Sequence, residues 1–137
     1  MYNNFQIMGR ICNDLELKTT PEGTPVTSFR VAVERRYKNK NGERATDFFN
    51  VVAWRGTAEM ICKYFSKGRM IFLEGEQQTR QYKDKNGNAA IWYELIVDRV
   101  CFTGEPKQTE VPTAPPLPEP PDELPEQTNN TDDDYPF

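Results

Sequence analysis

Five segments of the chain carry strand-length patterns of apolar residues, and turn-forming residues separate them. Phe5–Cys12 is apolar at Phe5, Ile7, Met8, Ile11 and Cys12. Val26–Glu34 alternates, with Phe29, Val31 and Val33 on one face. Asp47–Trp54 is the most β-prone stretch; its parity sets Phe49, Val51 and Ala53 against Phe48, Asn50, Val52 and Trp54. Met70–Tyr82 is a fourth strand, in which Gly75 marks a bulge. Ala90–Phe102 is the fifth, with Ile91, Tyr93, Leu95 and Val97 on one face. Between the third and fourth strands, Ala58, Ile61, Cys62 and Phe65 fall at helical spacing. That spacing predicts one helix, with Thr57 as its N-cap and Gly68 as its C-terminal stop.

Five strands with a single helix after the third is the element order of an all-β, five-stranded OB-fold barrel. Another small Greek-key barrel is the alternative. Thr19–Gly23 supplies a turn, and two further loops end in Asn-Gly. Those loops echo each other: Tyr37-Lys-Asn-Lys-Asn-Gly42 and Tyr82-Lys-Asp-Lys-Asn-Gly87 are nearly the same hexapeptide. A hairpin explains the Asn-Gly, but not the preceding aromatic or the two lysines.

Charge divides the chain at Gly104. Residues 1–104 hold 16 basic and 12 acidic residues, a net of +4, while residues 105–137 hold 1 basic and 9 acidic residues, a net of −8. Nine of the 11 prolines also lie in the second part, including Pro115-Pro116 and Pro120-Pro121. Residues 105–131 therefore predict a disordered, Pro-rich linker. Residues 132–137, Asp-Asp-Asp-Tyr-Pro-Phe, form an acidic tip that ends on two aromatics.

Several classes fall away. No apolar run approaches the ~20 residues of a membrane span, and Met1–Gly9 lacks the basic and apolar regions of a signal peptide. With no histidine in the chain, Ser-His and Cys-His catalysis and His-ligated metal are excluded. Cys12, Cys62 and Cys101 are odd in number and far apart, which implies a reducing cytoplasm, no disulfide framework and no zinc site. Glu74 and Glu76 could share a strand face as nuclease acids do, but with no third acid they read as solvated or paired. No cofactor is expected, and no enzyme.

Binding is the better fit. Tyr37, Phe48, Trp54 and Tyr82 lie on strands or at strand ends among Arg10, Arg35, Lys38, Arg55, Arg80 and Lys83. Bases of single-stranded nucleic acid stack on such rings whatever their sequence, and cations track the phosphates. Phe48 and Trp54 face away from Phe49, Val51 and Ala53, and both faces of one strand cannot be the core. Trp92 sits opposite Tyr93 and Leu95, equally suited to an interface or a base contact. Val52 and Ile96 on outer faces leave apolar surface that a second copy would cover.

These residues stand in a recognisable series: Asn3-Asn-Phe-Gln-Ile-Met-Gly-Arg10, Thr46-Asp-Phe-Phe-Asn-Val-Val-Ala-Trp54, Lys67-Gly68, Gly75, Gln78-Thr-Arg80 and Asp132-Asp-Asp-Tyr-Pro-Phe137. The series resembles the bacterial-type single-stranded DNA-binding proteins, chromosomal or phage-encoded. That resemblance implies an OB-fold domain over residues 1–104 that assembles as a homotetramer. It implies sequence-independent wrapping of single-stranded DNA in replication, recombination and repair. The family's base-stacking positions match Tyr37, Phe48, Trp54 and Tyr82; well-known members carry Trp at several of these, and Tyr or Phe offers a smaller ring. Asp132, Asp133, Asp134, Tyr135, Pro136 and Phe137 match the tip that recruits helicases, exonucleases, a recombination mediator and polymerase subunits, with Tyr135 where Ile is usual. Such a protein is cytoplasmic and nucleoid-associated. An OB module for RNA is the competing reading.

Overall fold

A computed structural model describes residues 1–104. The expected linker, residues 105–131, and tip, residues 132–137, lie outside the described residues.

The chain runs β1 (Phe5–Ile11), β2 (Lys18–Thr19), β3 (Pro25–Glu34), β4 (Thr46–Trp54), α1 (Arg55–Tyr64), β5 (Met70–Lys83) and β6 (Ala89–Phe102). Each strand expected from the sequence forms within one residue of its expected bounds. The added strand, β2, is two exposed residues paired to Pro25 and Val26. It carries no apolar signal to find.

The sheet order is β1-β5-β6-β4-β3-β2, and β1 pairs with β3 as well. One strand thereby closes the sheet on itself, using Phe5–Arg10 against β5 and Arg10–Ile11 against β3. The long strands follow the OB-fold order, with β4 and β6 parallel at Val51–Leu95 and Val52–Ile96. Inward-facing Ile11, Val31, Val51, Ile71, Leu73 and Leu95 fill the interior, and Ala58 and Ile61 of α1 join the same core. Ile11, Ile61, Ile71 and Leu73 are fully buried, each stabilising the fold by ~1.5–3 kcal/mol relative to exposure.

Two helix signals misplace its ends. The helix starts at Arg55 directly after β4, so Trp54 occupies the N-cap position without a side-chain cap, and Thr57 lies inside the first turn. Arg55 makes that loopless corner by adopting φ 56°, the left-handed region that costs an L-residue ~1–2 kcal/mol. At the other end the helix stops at Phe65, whose N–H bonds to the Ile61 carbonyl. Gly68 acts later, at φ 91°, where its N–H reaches the Ile11 carbonyl at 2.8 Å.

Gly75 does mark a bulge. Gly75 pairs with Val97 and Glu74 with Arg99, leaving Asp98 over. A Cβ on Gly75 would stand 1.9 Å from the Ile96 carbonyl oxygen, so only glycine fits. Beyond this point the β5–β6 hairpin outruns the core. Ile91 and Tyr93, which alternation sets on one face with Leu95 and Val97, are 50 % and 52 % exposed, because β4 pairs with β6 only at Val51 and Val52. Val52, expected to be exposed, is only 4 % accessible; it is a short side chain mid-sheet, between Ser28 and Ile96 on the flanking strands.

The echoed hexapeptides fold alike. In one loop the Asn39 side-chain oxygen accepts from the N–H groups of Asn41 and Glu43, at 2.9 and 3.0 Å. In the other, Asp84 accepts from Asn86 and Asn88 at 3.0 and 2.9 Å. Gly42 and Gly87 take φ 78° and 79°. Neither Asn41 nor Asn86 has positive φ, so each turn bears its left-handed residue at the glycine alone, as in three-residue hairpin loops.

Candidate nucleic-acid interface

Strand parity gathers the interface. On the outer face of β4 stand Phe48, Asn50, Val52 and Trp54, opposite Ala32, Arg30, Ser28 and Val26 of β3. On the same face of β6 and β5 stand Trp92 and Glu94, opposite Arg80 and Gln78. Where β4 and β6 diverge, a cleft of about 250 Å³ opens; Phe48, Tyr82, Trp92 and Glu94 line it together with Phe5, Phe49 and Tyr93. The Asn50 amide ties the fork by donating to the Tyr93 carbonyl at 3.2 Å. Phe5 and Phe49 pack with centroids 5.6 Å apart.

Of the four expected stacking residues, the cleft unites Phe48 and Tyr82. Trp54, half-buried, lies six residues along β4 from Phe48, about 20 Å away on the same face at ~3.3 Å per residue. Tyr37 is 66 % exposed at the base of the first echoed loop. The set is therefore strung along a surface rather than clustered.

The expected cations divide similarly. Lys38, Arg55 and Lys83 are exposed. Arg35 is engaged bidentately by Asp47, Nε to Oδ2 and Nη2 to Oδ1, both at 2.9 Å; this bond raises the Arg35 pKa and holds the Asp47 carboxyl below its ordinary range. Arg10 donates to the Gly68 carbonyl at 3.2 Å and does not line the cleft. Arg80 faces Glu94, Nε to Oε1 at 3.4 Å.

Arg30, Asn50 and Glu94 were missed in the sequence. The Arg30 guanidinium lies over the Phe48 ring, 5.1 Å from its centroid, a cation–π contact. Glu94 is 3 % exposed. Burial pushes its carboxyl up, while the Arg80 charge and the Trp92 indole N–H, at 3.1 Å, pull it down. Parity within β3 could have flagged Arg30, an outward residue amid Phe29 and Val31. The sequence holds no sign that Glu94 is buried. Glu74 and Glu76 accept from Gln6 and Gln78 at 2.7 and 2.8 Å, the paired state expected of them. Among the described residues no cluster of His, Cys, Asp or Glu is arranged to hold a metal, and no helix is long and apolar enough to cross a membrane.

Comparison with known proteins places the chain in a family. The model of the single-strand binding protein family matches residues 2–103. The chain belongs to that family. Single-strand binding proteins are non-enzymatic DNA-binding proteins, which agrees with a sequence lacking a catalytic set. The chain is 40 % identical over 111 residues to single-stranded DNA-binding protein 2 of Listeria monocytogenes, spanning 81 % of this chain and 69 % of that one. It is 37 % identical to single-stranded DNA-binding protein 1 of Lactococcus lactis, with all of both chains aligned. Among solved structures, the SSB of Plasmodium falciparum in complex with ssDNA superposes with a TM-score of 0.63 at 24 % identity, covering 71 % of this chain and 87 % of that one. The fold is thus shared with a single-strand binding protein as well as expected from the element order.

Proposed function

We propose that this protein binds single-stranded DNA without sequence preference and protects it during replication, recombination and repair. The observation that carries the reading is the row of rings on one outer face, Phe48, Trp54 and Tyr82, with Arg30 over Phe48, and with Tyr37, Lys38, Arg55 and Lys83 exposed. Rings take bases and cations take phosphates. The net −4 of the whole chain does not oppose this, because residues 1–104 carry +4.

Assembly as a homotetramer belongs to the same reading. Met8, Phe72 and Cys101 stand in register across β1, β5 and β6 on the outer face. Met8 is 53 % exposed, and symmetric packing would cover the row. In the same reading Asp132–Phe137 recruits helicases, nucleases and other genome-maintenance enzymes through charge steering by its three aspartates and through its aromatic rings. The protein then works in the cytoplasm, on the nucleoid.

The deciding experiment titrates labelled oligo-dT and a duplex of equal length, followed by anisotropy at two salt concentrations. Salt-sensitive binding of oligo-dT with little binding of duplex supports the proposal; equal affinity for both sinks it. Deleting Phe137 alone should leave oligonucleotide affinity unchanged and abolish capture of those enzymes. Sedimentation at micromolar concentration should show a tetramer.

A further inference from the structure

Trp92 is the one aromatic of the cleft whose sequence context left its role open. The parallel register pairs Val51 with Leu95 and Val52 with Ile96. Counted back from that register, Phe48 and Trp92 fall on the same face, and both line the cleft that opens where the two strands diverge. Across the other edge of β6, Trp92 is paired with Arg80. One face thus carries Phe48 with Arg30 over it, Trp92 and Arg80.

The polar chemistry of Trp92 is complete within the protein. Its indole N–H donates to Glu94 Oε2 at 3.1 Å, and Glu94 is buried with its other oxygen 3.4 Å from Arg80 Nε. The carboxylate holds the edge of the indole, while the side chain stays half-buried and lines an open cleft. Such a group needs no hydrogen bond from an incoming ligand. It shares the cleft with a second ring, Phe48, which carries Arg30, and is paired with Arg80 of β5. A flat, uncharged ring on an anionic backbone suits that setting, which describes an unpaired nucleotide.

We propose that Trp92 is a further base-stacking residue, taking a nucleobase in the cleft between β4 and β6 beside Phe48. This rests on the single-stranded DNA reading and adds a contact to it. The bound strand then enters the cleft at Phe48 and Trp92 as well as running along β4 toward Trp54.

The chain has two tryptophans, which makes the test clean. In full-length Trp54→Phe, Trp92 is the sole source of indole emission. Titration with oligo-dT, with a labelled oligonucleotide followed by anisotropy in parallel, should quench that emission in proportion to the DNA bound. Trp92→Ala should weaken binding about five- to 150-fold, the equivalent of ~1–3 kcal/mol for one lost stack. Emission from Trp54→Phe that stays constant while the labelled oligonucleotide binds overturns the proposal and leaves DNA binding intact. Emission that changes with protein concentration but not with oligonucleotide places Trp92 at a subunit contact and overturns it too. Wild-type affinity in Trp92→Ala does the same; if that variant does not fold, the Trp54→Phe titration decides alone. Failure of the wild-type protein to bind any labelled oligonucleotide refutes the underlying reading instead.

Discussion

Replacing Gly75 with alanine should cost the fold several kcal/mol. The new Cβ would stand 1.9 Å from the Ile96 carbonyl oxygen, 2.8 Å from its carbon and 3.1 Å from the Val97 Cα. All three are backbone atoms, so no side chain can swing away. Ordinary contact begins at 3.4 Å, and β5 and β6 must part by about 1.5 Å. A ladder hydrogen bond stretched that far is no longer one. Two bonds lost beside the bulge cost ~0.5–1.5 kcal/mol each, and overpacking adds ~1–3 kcal/mol. The total of about 2–6 kcal/mol is a large share of the ~5–15 kcal/mol that holds a domain together. Urea unfolding followed by circular dichroism, at one fixed protein concentration, should show the midpoint falling by ~1–3 M for a slope near ~2 kcal/mol/M. Gly56→Ala is the control. Nothing lies within 4 Å of a Cβ there, and the position is helical, so the midpoint should hold or rise, by up to ~1 kcal/mol of stability. A Gly75→Ala protein that unfolds at the wild-type midpoint would refute the close-approach argument.

Other outcomes follow from the interface. Phe48→Ala should weaken oligo-dT binding by ~1–3 kcal/mol by anisotropy; unchanged affinity in a folded variant counts against the ring row. The logarithm of affinity should fall with that of salt at ~0.7 per neutralised phosphate, and Lys38→Ala and Lys83→Ala should each flatten the slope by about that amount. Glu94 has a raised pKa from burial, so between the ordinary carboxylate range and that raised value the folded state holds more protons than the unfolded one. Stability is therefore lost as pH rises through that window. Glu94→Gln lacks this term, and thermal melts should show it gaining on the wild type as pH rises above the ordinary carboxylate range; a constant difference would contradict the buried charge. Arg55→Gly removes a left-handed L-residue costing ~1–2 kcal/mol, largely offset by the greater freedom of glycine when unfolded. Its melting temperature should hold or rise while its oligonucleotide affinity at low salt falls.

The long strands were legible because period-two alternation is a local signal and turn residues bound it. The bulge was legible too, since a lone glycine in Met70–Tyr82 has few other uses. The helix ends were not. A capping rule presumes a loop before the helix, and Thr57 lost its role because β4 turns straight into α1 at Arg55. Ile91 and Tyr93 illustrate a second limit: alternation assigns a face but not whether the core extends beneath it. The cleft was the least legible feature. Phe48 and Trp92 lie 44 positions apart in the sequence, and only the parallel pairing of β4 with β6 brings them into one cleft. Glu94 looks like any outward acid until Arg80 and Trp92 are found around it.

The echoed loops also bear on how the protein ages. Asn-Gly is the dipeptide most prone to deamidation, because the glycine nitrogen readily attacks the neighbouring amide carbon and closes a five-membered imide. Each basic arm presents one such dipeptide in the open, Asn41-Gly42 and Asn86-Gly87. In both, that nitrogen is already committed to the turn: Gly42 donates to the Asn39 carbonyl and Gly87 to the Asp84 carbonyl, each at 3.0 Å. The turn that demands the glycine thus restrains the nitrogen that would attack. Loosening either loop would expose its asparagine to conversion into an acid, adding a negative charge beside Lys40 or Lys85 and eroding the positive character of the arm with storage.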